Sequence, residues 1–334
     1  MAHHDQVEKL LRHGYVPLPV AGKVWIDKYQ GKPLRYLESA PDPELTRAAF
    51  RENLNCGISV TAPYLRNLDI KLVGIDVDCD NPVIIDRVAR IIYRPCPAKR
   101  GRRGMTFFAT FSGEVLLKTD YEKRRGVKVA SWLGEASVKT IEPPSDPRAK
   151  VDHIDLICRG PYYHSVLPPS IHPDTGQPYE WVPFPGTSTV LKLEDVAPLD
   201  LPHLDSAQLA LLALCFNPNL KAIWEFIDAT GPGDFNKRMV DGTLALYHEY
   251  FTIDEISSLA LREARRDPPD SKTLREREAA IKGAIRDLPA KFPERNPTPS
   301  GKPKRISPDR VYADWLLREI GIENCALSNG APYI

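Results

Sequence analysis

The stretch Leu72 to Asp80 reads LVGIDVDCD: four apolar or small residues run straight into two acids separated by one valine. A buried strand whose last residues emerge at a metal site has this pattern, because strand side chains alternate and Val77 turns inward while Asp76 and Asp78 share a face. Two carboxylates so placed can hold divalent cations through oxygen ligands. The same Asp-x-Asp pattern also ends strands in glycosyltransferases and occurs in calcium loops, so the pair alone leaves the chemistry open. Asp80 or Asn81 reads as the cap of a helix that starts at Pro82, which makes Asp80 a cap rather than a third ligand.

Three further segments carry reactive side chains. In CPAKRGRRGMTFFATF, Lys99, Arg100, Arg102 and Arg103 crowd a glycine-rich turn that feeds an apolar strand. Backbone amides and guanidinium forks in such a turn can reach a polyphosphate or a template backbone together, and a solvated basic hairpin is the bland alternative. In VDHIDLICRG, Asp155 lies inside an apolar run, a costly place for a carboxylate unless a metal or another cation faces it. Asp152 reads as exposed at the strand's edge. One acid and an acid pair from two strands supply the three carboxylates of a two-metal nucleotidyl-transfer site. In GPYYHSVLPPSIHPDTGQPYEW, a proline-stiffened strand end is followed by Ser170 and His172, then a turn with Asp174, Thr175 and Gly176 at its tip and a return strand. With no Gly-x-Ser-x-Gly elbow, His172 reads as a phosphate-side or metal-side residue, not as part of a hydrolase triad.

These residues need elements to hold them. An amphipathic helix, DQVEKLLRHG, opens the chain and ends at Gly14; YVPLPV is a strand, DPELTRAAFREN a helix and NCGISVT a strand. Between them GKVWIDKYQGKP places Lys23, Lys28 and Lys32 beside aromatics. Residues 113–150 have mixed charge and proline and read as an insertion or long hairpin. The 334 residues suggest two domains, and 42% hydrophobic with 27% charged residues describe an ordinary globular chain. A net charge of +1 gives no global pull on nucleic acid, so a polyanion site must come from local clusters. The six cysteines have no Cys-x-x-Cys spacing and read as reduced core residues of a cytoplasmic protein without a zinc site. No run reaches the roughly 18 to 20 apolar residues of a membrane span, and MAHHDQVEK is not a signal peptide. The 32 prolines cluster between 140 and 205 and between 289 and 308, marking irregular segments and a linker.

Taken in order, GISV at 57–60, LVGIDVDCDNP, the basic turn into MTFFATF, HIDLICRG and above all PYYHSVLPPSIHPDTGQPYEW resemble the primase-polymerase domain of the archaeo-eukaryotic primase superfamily, in its plasmid and phage branch. The resemblance covers about residues 10 to 190, and the Pro-Pro-Ser-x-His-Pro-x-Thr-Gly stretch is its most specific part. It implies an α+β fold: an antiparallel sheet of four strands like an RNA recognition motif, beside a small α/β unit, with the active site in the cleft. It makes Asp76, Asp78 and Asp155 the catalytic metal ligands for two Mg²⁺ or Mn²⁺ ions. The family's second motif usually has a nucleotide-binding histidine before the strand, where alignment by the glycines puts Met105. The triphosphate then falls to Arg100, Arg102 and Arg103, with Ser170 and His172 as further nucleotide contacts. Lys28, Lys99, Arg265 and Arg266 are the expected contacts to nucleic acid. Tyr162, Tyr163 and His164 could gate the sugar or simply pack in the core.

From Leu201 the spacing turns helical: SAQLALLALCFN, LKAIWEFIDATG, NKRMVDGTLALYHEYF, TIDEISSLALREARR and SKTLREREAAIKGAIRDL predict a bundle of four or five helices. The expected organisation is a primase-polymerase domain over 1–198, a helical bundle of the primase C-terminal type over 199–292, a basic proline-rich linker over 293–308 and the start of a further domain over 309–334. The resemblance implies a single-stranded DNA template and nucleoside triphosphates as partners, no membrane, and a helicase joined to or associated with the C-terminal side. It leaves two rivals: a catalytically decayed single-stranded-DNA-binding initiator, and a metal-dependent nuclease or glycosyltransferase.

Overall fold

A computed structural model describes residues 3–26, 43–52, 57–61, 70–112, 127–128, 152–157, 164–215, 221–227, 235–248, 251, 253–265, 274–291, 327–328 and 331–332. The expected linker, the start of the further domain up to 326, and nearly all of 113–150 lie outside them. The chain divides into two compact units, Met1–Asn219 and Leu220–Ile334.

The first unit holds two sheets. The smaller has strands β1 (Val16–Ala21), β2 (Val24–Trp25), β3 (Gly57–Thr61) and β9 (His164–Leu167) in the order β2-β1-β3-β9, with helices α1 (His4–Arg12) and α2 (Pro43–Glu52) preceding its strands. The larger is built on β4 (Ile70–Asp78), β5 (Ala98–Arg100), β6 (Met105–Ser112), β7 (Val127–Lys128), β8 (His153–Ile157) and β10 (Glu180–Val182), ordered β10-β5-β6-β4-β8-β7, and β11 (His203–Leu204) runs parallel to β6. With seven strands among the described residues it is wider than the four strands that the resemblance implies.

Register decides which face each residue serves. β4 pairs with β6 and β8 on either side, and along it Leu72, Gly74, Asp76 and Asp78 share one face by alternation. Leu72 packs with Ile58 and Val60 of β3, Leu167 of β9, Phe108 of β6 and Val7 and Leu10 of α1 in one buried cluster. The small sheet therefore covers the upstream half of this face, and the acids lie where that cover ends. Val73, Ile75 and Val77 point the other way and are fully buried.

α3 (Pro82–Ile92) follows β4 with Pro82 in its first turn and Asn81 as its cap, the Asn81 carboxamide accepting from Val83 N at 3.0 Å. Asp80 is not the cap; its carboxylate turns back to accept from Gly104 N at 2.9 Å. α4 (Ser206–Ala213), expected as the first helix of the bundle, belongs to the first unit. Its Gln208 donates to Ile91 O of α3 at 2.5 Å, and Arg87 of α3 donates to Cys215 O at 2.8 Å just beyond it. An apolar helix buried on several sides needs such cover, and the first compact unit runs past it to Asn219.

In the second unit, α5 (Lys221–Ile227), α6 (Phe235–His248), α7 (Ile253–Arg265) and α8 (Leu274–Lys291) lie where helical spacing predicts them. Gly242 of α6 lets Phe226 of α5 pack directly on its backbone, a Cβ there being 2.5 Å from the Phe226 side chain. No helix among the described residues is long and apolar enough to cross a membrane.

Candidate active site

One row of residues crosses the large sheet. Trp181 of β10 stands opposite Lys99 of β5, Lys99 opposite Thr106 of β6, Thr106 opposite Asp76 of β4, and Asp76 opposite Asp155 of β8. Directly opposed residues of antiparallel strands share a face with Cβ atoms about 5 Å apart, so Asp76 and Asp155 are neighbours. Asp78, one pleat further on, is opposite His153. The three acids expected to work together come to one patch of one face.

Each carboxylate leans on a protein partner. Asp76 accepts from the Thr106 hydroxyl at 2.6 Å. His153 Nε2 stands 3.4 Å from an Asp155 oxygen and 3.7 Å from an Asp78 oxygen, between the two. The other Asp155 oxygen, Oδ1, is shielded from solvent and accepts no hydrogen bond from the described residues. Among the described residues no three His, Cys, Asp or Glu side chains are already gathered round one point as a metal cage. The acids nevertheless fit a hard cation: all donors are carboxylate oxygens, and a buried oxygen lone pair without a donor is what an ion would satisfy.

Arg103 belongs to the acid patch. Its guanidinium pairs with Asp152 and lies 3.9 Å from Asp78 and 3.8 Å from Asp80, so it ties the end of β4 to the start of β8. Asp152, whose side chain is 43% exposed at the edge of β8, also accepts from the Cys79 thiol at 3.1 Å. Gly104, at φ +61°, sits so close to β4 that an added Cβ would lie 1.7 Å from Val77 O. Arg100 and Arg102 are exposed, with Arg100 opposite Glu180.

Met105 opposes Val77, on the face away from the acids, and the residue that faces Asp76 is Thr106. Counting from glycines cannot resolve that parity; one residue of slip turns a strand side chain to the other face. On the nucleotidyl-transfer reading that the resemblance implies, Thr106→Val, which keeps the shape and removes the donor to Asp76, is expected to lower nucleotide incorporation about tenfold. Steady-state incorporation beside a melting curve measures it, with the melting point near wild type.

The proline-rich motif joins the two sheets. β9 pairs with β3, the chain turns through a Pro168-Pro169 cis peptide and the tip at Gly176, and β10 then pairs with β5. The return strand thus crosses to the large sheet, because prolines cannot donate to continue the first ladder. Ser170 is buried, accepting from Ile58 N at 2.7 Å and donating to Ile58 O at 3.3 Å, so its hydroxyl is committed to β3. His172 is buried too; its Nδ1 accepts from Asp174 N at 3.2 Å, and its ring centroid is 5.2 Å from that of Tyr179. Gly101 admits this pair, since a Cβ there would meet the Tyr179 ring at 2.8 Å.

Lys99 is 6% exposed, a rare place for a lysine. Its Nζ lies 4.7 Å from the Tyr179 ring centroid. Burial pulls its pKa down to about 8, with Asp76 opposing the shift and Lys23 adding to it. The folded chain therefore bears a cost for the charged form that is fully present below pH 8 and vanishes by about 10.5, the ordinary lysine value at which the unfolded chain also loses the proton. Lys99→Met is expected to melt above wild type at neutral pH, the gap closing as pH rises through that window. Burial likewise brings His164 down to about 4, the charge of Lys99 contributing, so it is neutral at physiological pH.

Lys28, Arg266, Tyr162 and Tyr163 lie outside the described residues, and the Arg265 side chain is among those not described. His153 and the burial of Lys99 were not legible as site features. The signal for His153 was its i, i+2 spacing to Asp155 in a strand, which puts both on one face.

A comparison with curated proteins finds no match. The family described as bifunctional DNA primase/polymerase, N-terminal, matches residues 8–203, the span that carries the acid row, the basic turn and the proline-rich crossing. That match covers more than half of the 334 residues, and the chain belongs to the Prim-Pol family, the primase/polymerase type of nucleotidyltransferase found in DNA replication.

Proposed function

We propose that this chain makes primers or DNA on a single-stranded DNA template by joining nucleoside triphosphates, with two Mg²⁺ or Mn²⁺ ions held by Asp76, Asp78 and Asp155. The observation that carries the reading is the register pair Asp76 and Asp155 with Asp78 one pleat away, three carboxylates on the face where the small sheet ends. When bound, such ions neutralise a triphosphate and ready a 3′-hydroxyl for attack. The chain's own residues do the positioning. Thr106 fixes the rotamer of Asp76, Arg103 balances the charge of Asp78, and His153 stands between Asp78 and Asp155. Lys99, next to Asp76 in register through Thr106, lies where polyphosphate charge would need a partner. The four-stranded recognition-motif core, the linked helicase and the plasmid or phage setting rest on the resemblance alone.

The test is nucleotide incorporation on an unprimed single-stranded template with Mn²⁺ or Mg²⁺. Template-dependent products are expected. A second reading, a binding-only initiator, is favoured by Thr106, not a histidine, standing opposite Asp76 on β6; template binding without any incorporation under either ion would establish it in place of the first.

A further inference from the structure

We infer that Lys99 is the inner contact for the polyphosphate of an incoming nucleotide, and that the arginines of the basic turn serve elsewhere. The inference deepens the nucleotidyl-transfer reading and rests on it for the identity of the nucleotide.

The argument is one of cost and access. A lysine that is more than nine-tenths buried needs an anion, and among the described residues Lys99 forms no ion pair; the cation lies over the face of the Tyr179 ring. Fold stability does not explain such a residue, since a methionine of similar length would fill the space without the charge. What surrounds it is built. Tyr179 packs on Gly101 and against His172, both held by the proline-rich crossing, and Lys23 from the β1–β2 turn reaches to 3.9 Å from Asp174 on the same crossing. Lys99 also stands in the row that leads through Thr106 to Asp76, so an anion on Nζ would lie beside the acid patch.

The arginines are placed differently. Arg103 is occupied by Asp152 and lies near Asp78 and Asp80, while Arg100 and Arg102 are in solvent. A template backbone is a continuous chain that can run along exposed arginines but cannot thread to a side chain 6% exposed. The free end of a triphosphate can. The chemical class that fits Lys99 is therefore a terminal polyphosphate, and Arg102 fits a strand backbone.

The experiment measures binding, not turnover. Calorimetric titration with inorganic tripolyphosphate in the presence of Mg²⁺, and anisotropy with a labelled single-stranded oligonucleotide, are run on the full chain and on Lys99→Met, Lys99→Arg and Arg102→Ala. Lys99→Met is expected to lose about 10 to 100-fold in tripolyphosphate affinity, with oligonucleotide affinity unchanged and a melting point at or above wild type. Lys99→Arg keeps the charge and is expected to retain tripolyphosphate binding, while Arg102→Ala weakens only the oligonucleotide. Tripolyphosphate binding by Lys99→Met at wild-type strength, or loss of the oligonucleotide in its place, overturns the inference. So does a Lys99→Met chain that melts well below wild type while Lys99→Arg also fails to bind. Absence of primer synthesis with tripolyphosphate binding intact would instead sink the polymerase reading and leave this site standing.

Discussion

Asp155→Asn is expected to reduce template-directed nucleotide incorporation by about 10³-fold or more while leaving the melting point at or above that of wild type. The two halves of this result have separate causes. The amide has the same shape, so the β8 ladder and its register with β4 survive. Removing one negative charge from a patch that already holds Asp76 and Asp78 relieves repulsion, and the amide oxygen that replaces the carboxylate still faces His153. On the proposed two-metal reading, activity falls because Asp155 Oδ1, buried and without a donor among the described residues, would hold a cation. Asp76→Asn and Asp78→Asn should behave alike in activity. An Asp155→Asn chain that incorporates nucleotide within tenfold of wild type would show that the third acid takes no part in the chemistry.

Gly104→Ala should be the most destabilising single change in the site, costing about 3 to 5 kcal/mol. A residue with a side chain at φ +61° already costs about 1 kcal/mol, and here the added Cβ would lie 1.7 Å from Val77 O, a contact no rotamer can relieve. The end of β4 would have to move, and with it the residues on either side of Val77, which are Asp76 and Asp78. Gly176 supplies the control. It has φ +67° but nothing within 4 Å of an added Cβ, so Gly176→Ala should cost only about 1 kcal/mol and leave incorporation intact. Chemical denaturation of the two variants measures the contrast. Equal losses would mean that the approach of the basic turn to β4 is looser than the distance implies.

Arg103 links both expectations. Sequence alone groups it with Arg100 and Arg102 as a triphosphate contact because the three crowd one turn. In the fold that turn is pulled onto β4 by Gly104 N and Asp80, which swings Arg103 toward the acids and leaves the other two in solvent. Charge clustering in sequence marks a turn as basic without saying which charges face inward.

The local patterns were legible. Alternation through LVGIDVD put Asp76 and Asp78 on one face, Pro82 marked the start of α3, and apolar spacing located the helices from 206 to 291, because each is a matter of neighbours along one strand or helix. Residues far apart in sequence were not. That Asp155 stands opposite Asp76, that Thr106 and not Met105 faces it, that the proline-rich segment leaves one sheet for the other and that Lys99 is buried beneath Tyr179 all depend on which strands pair and in what register. Strand register is settled by the burial of whole faces against one another, a condition that exists only once the sheets have packed.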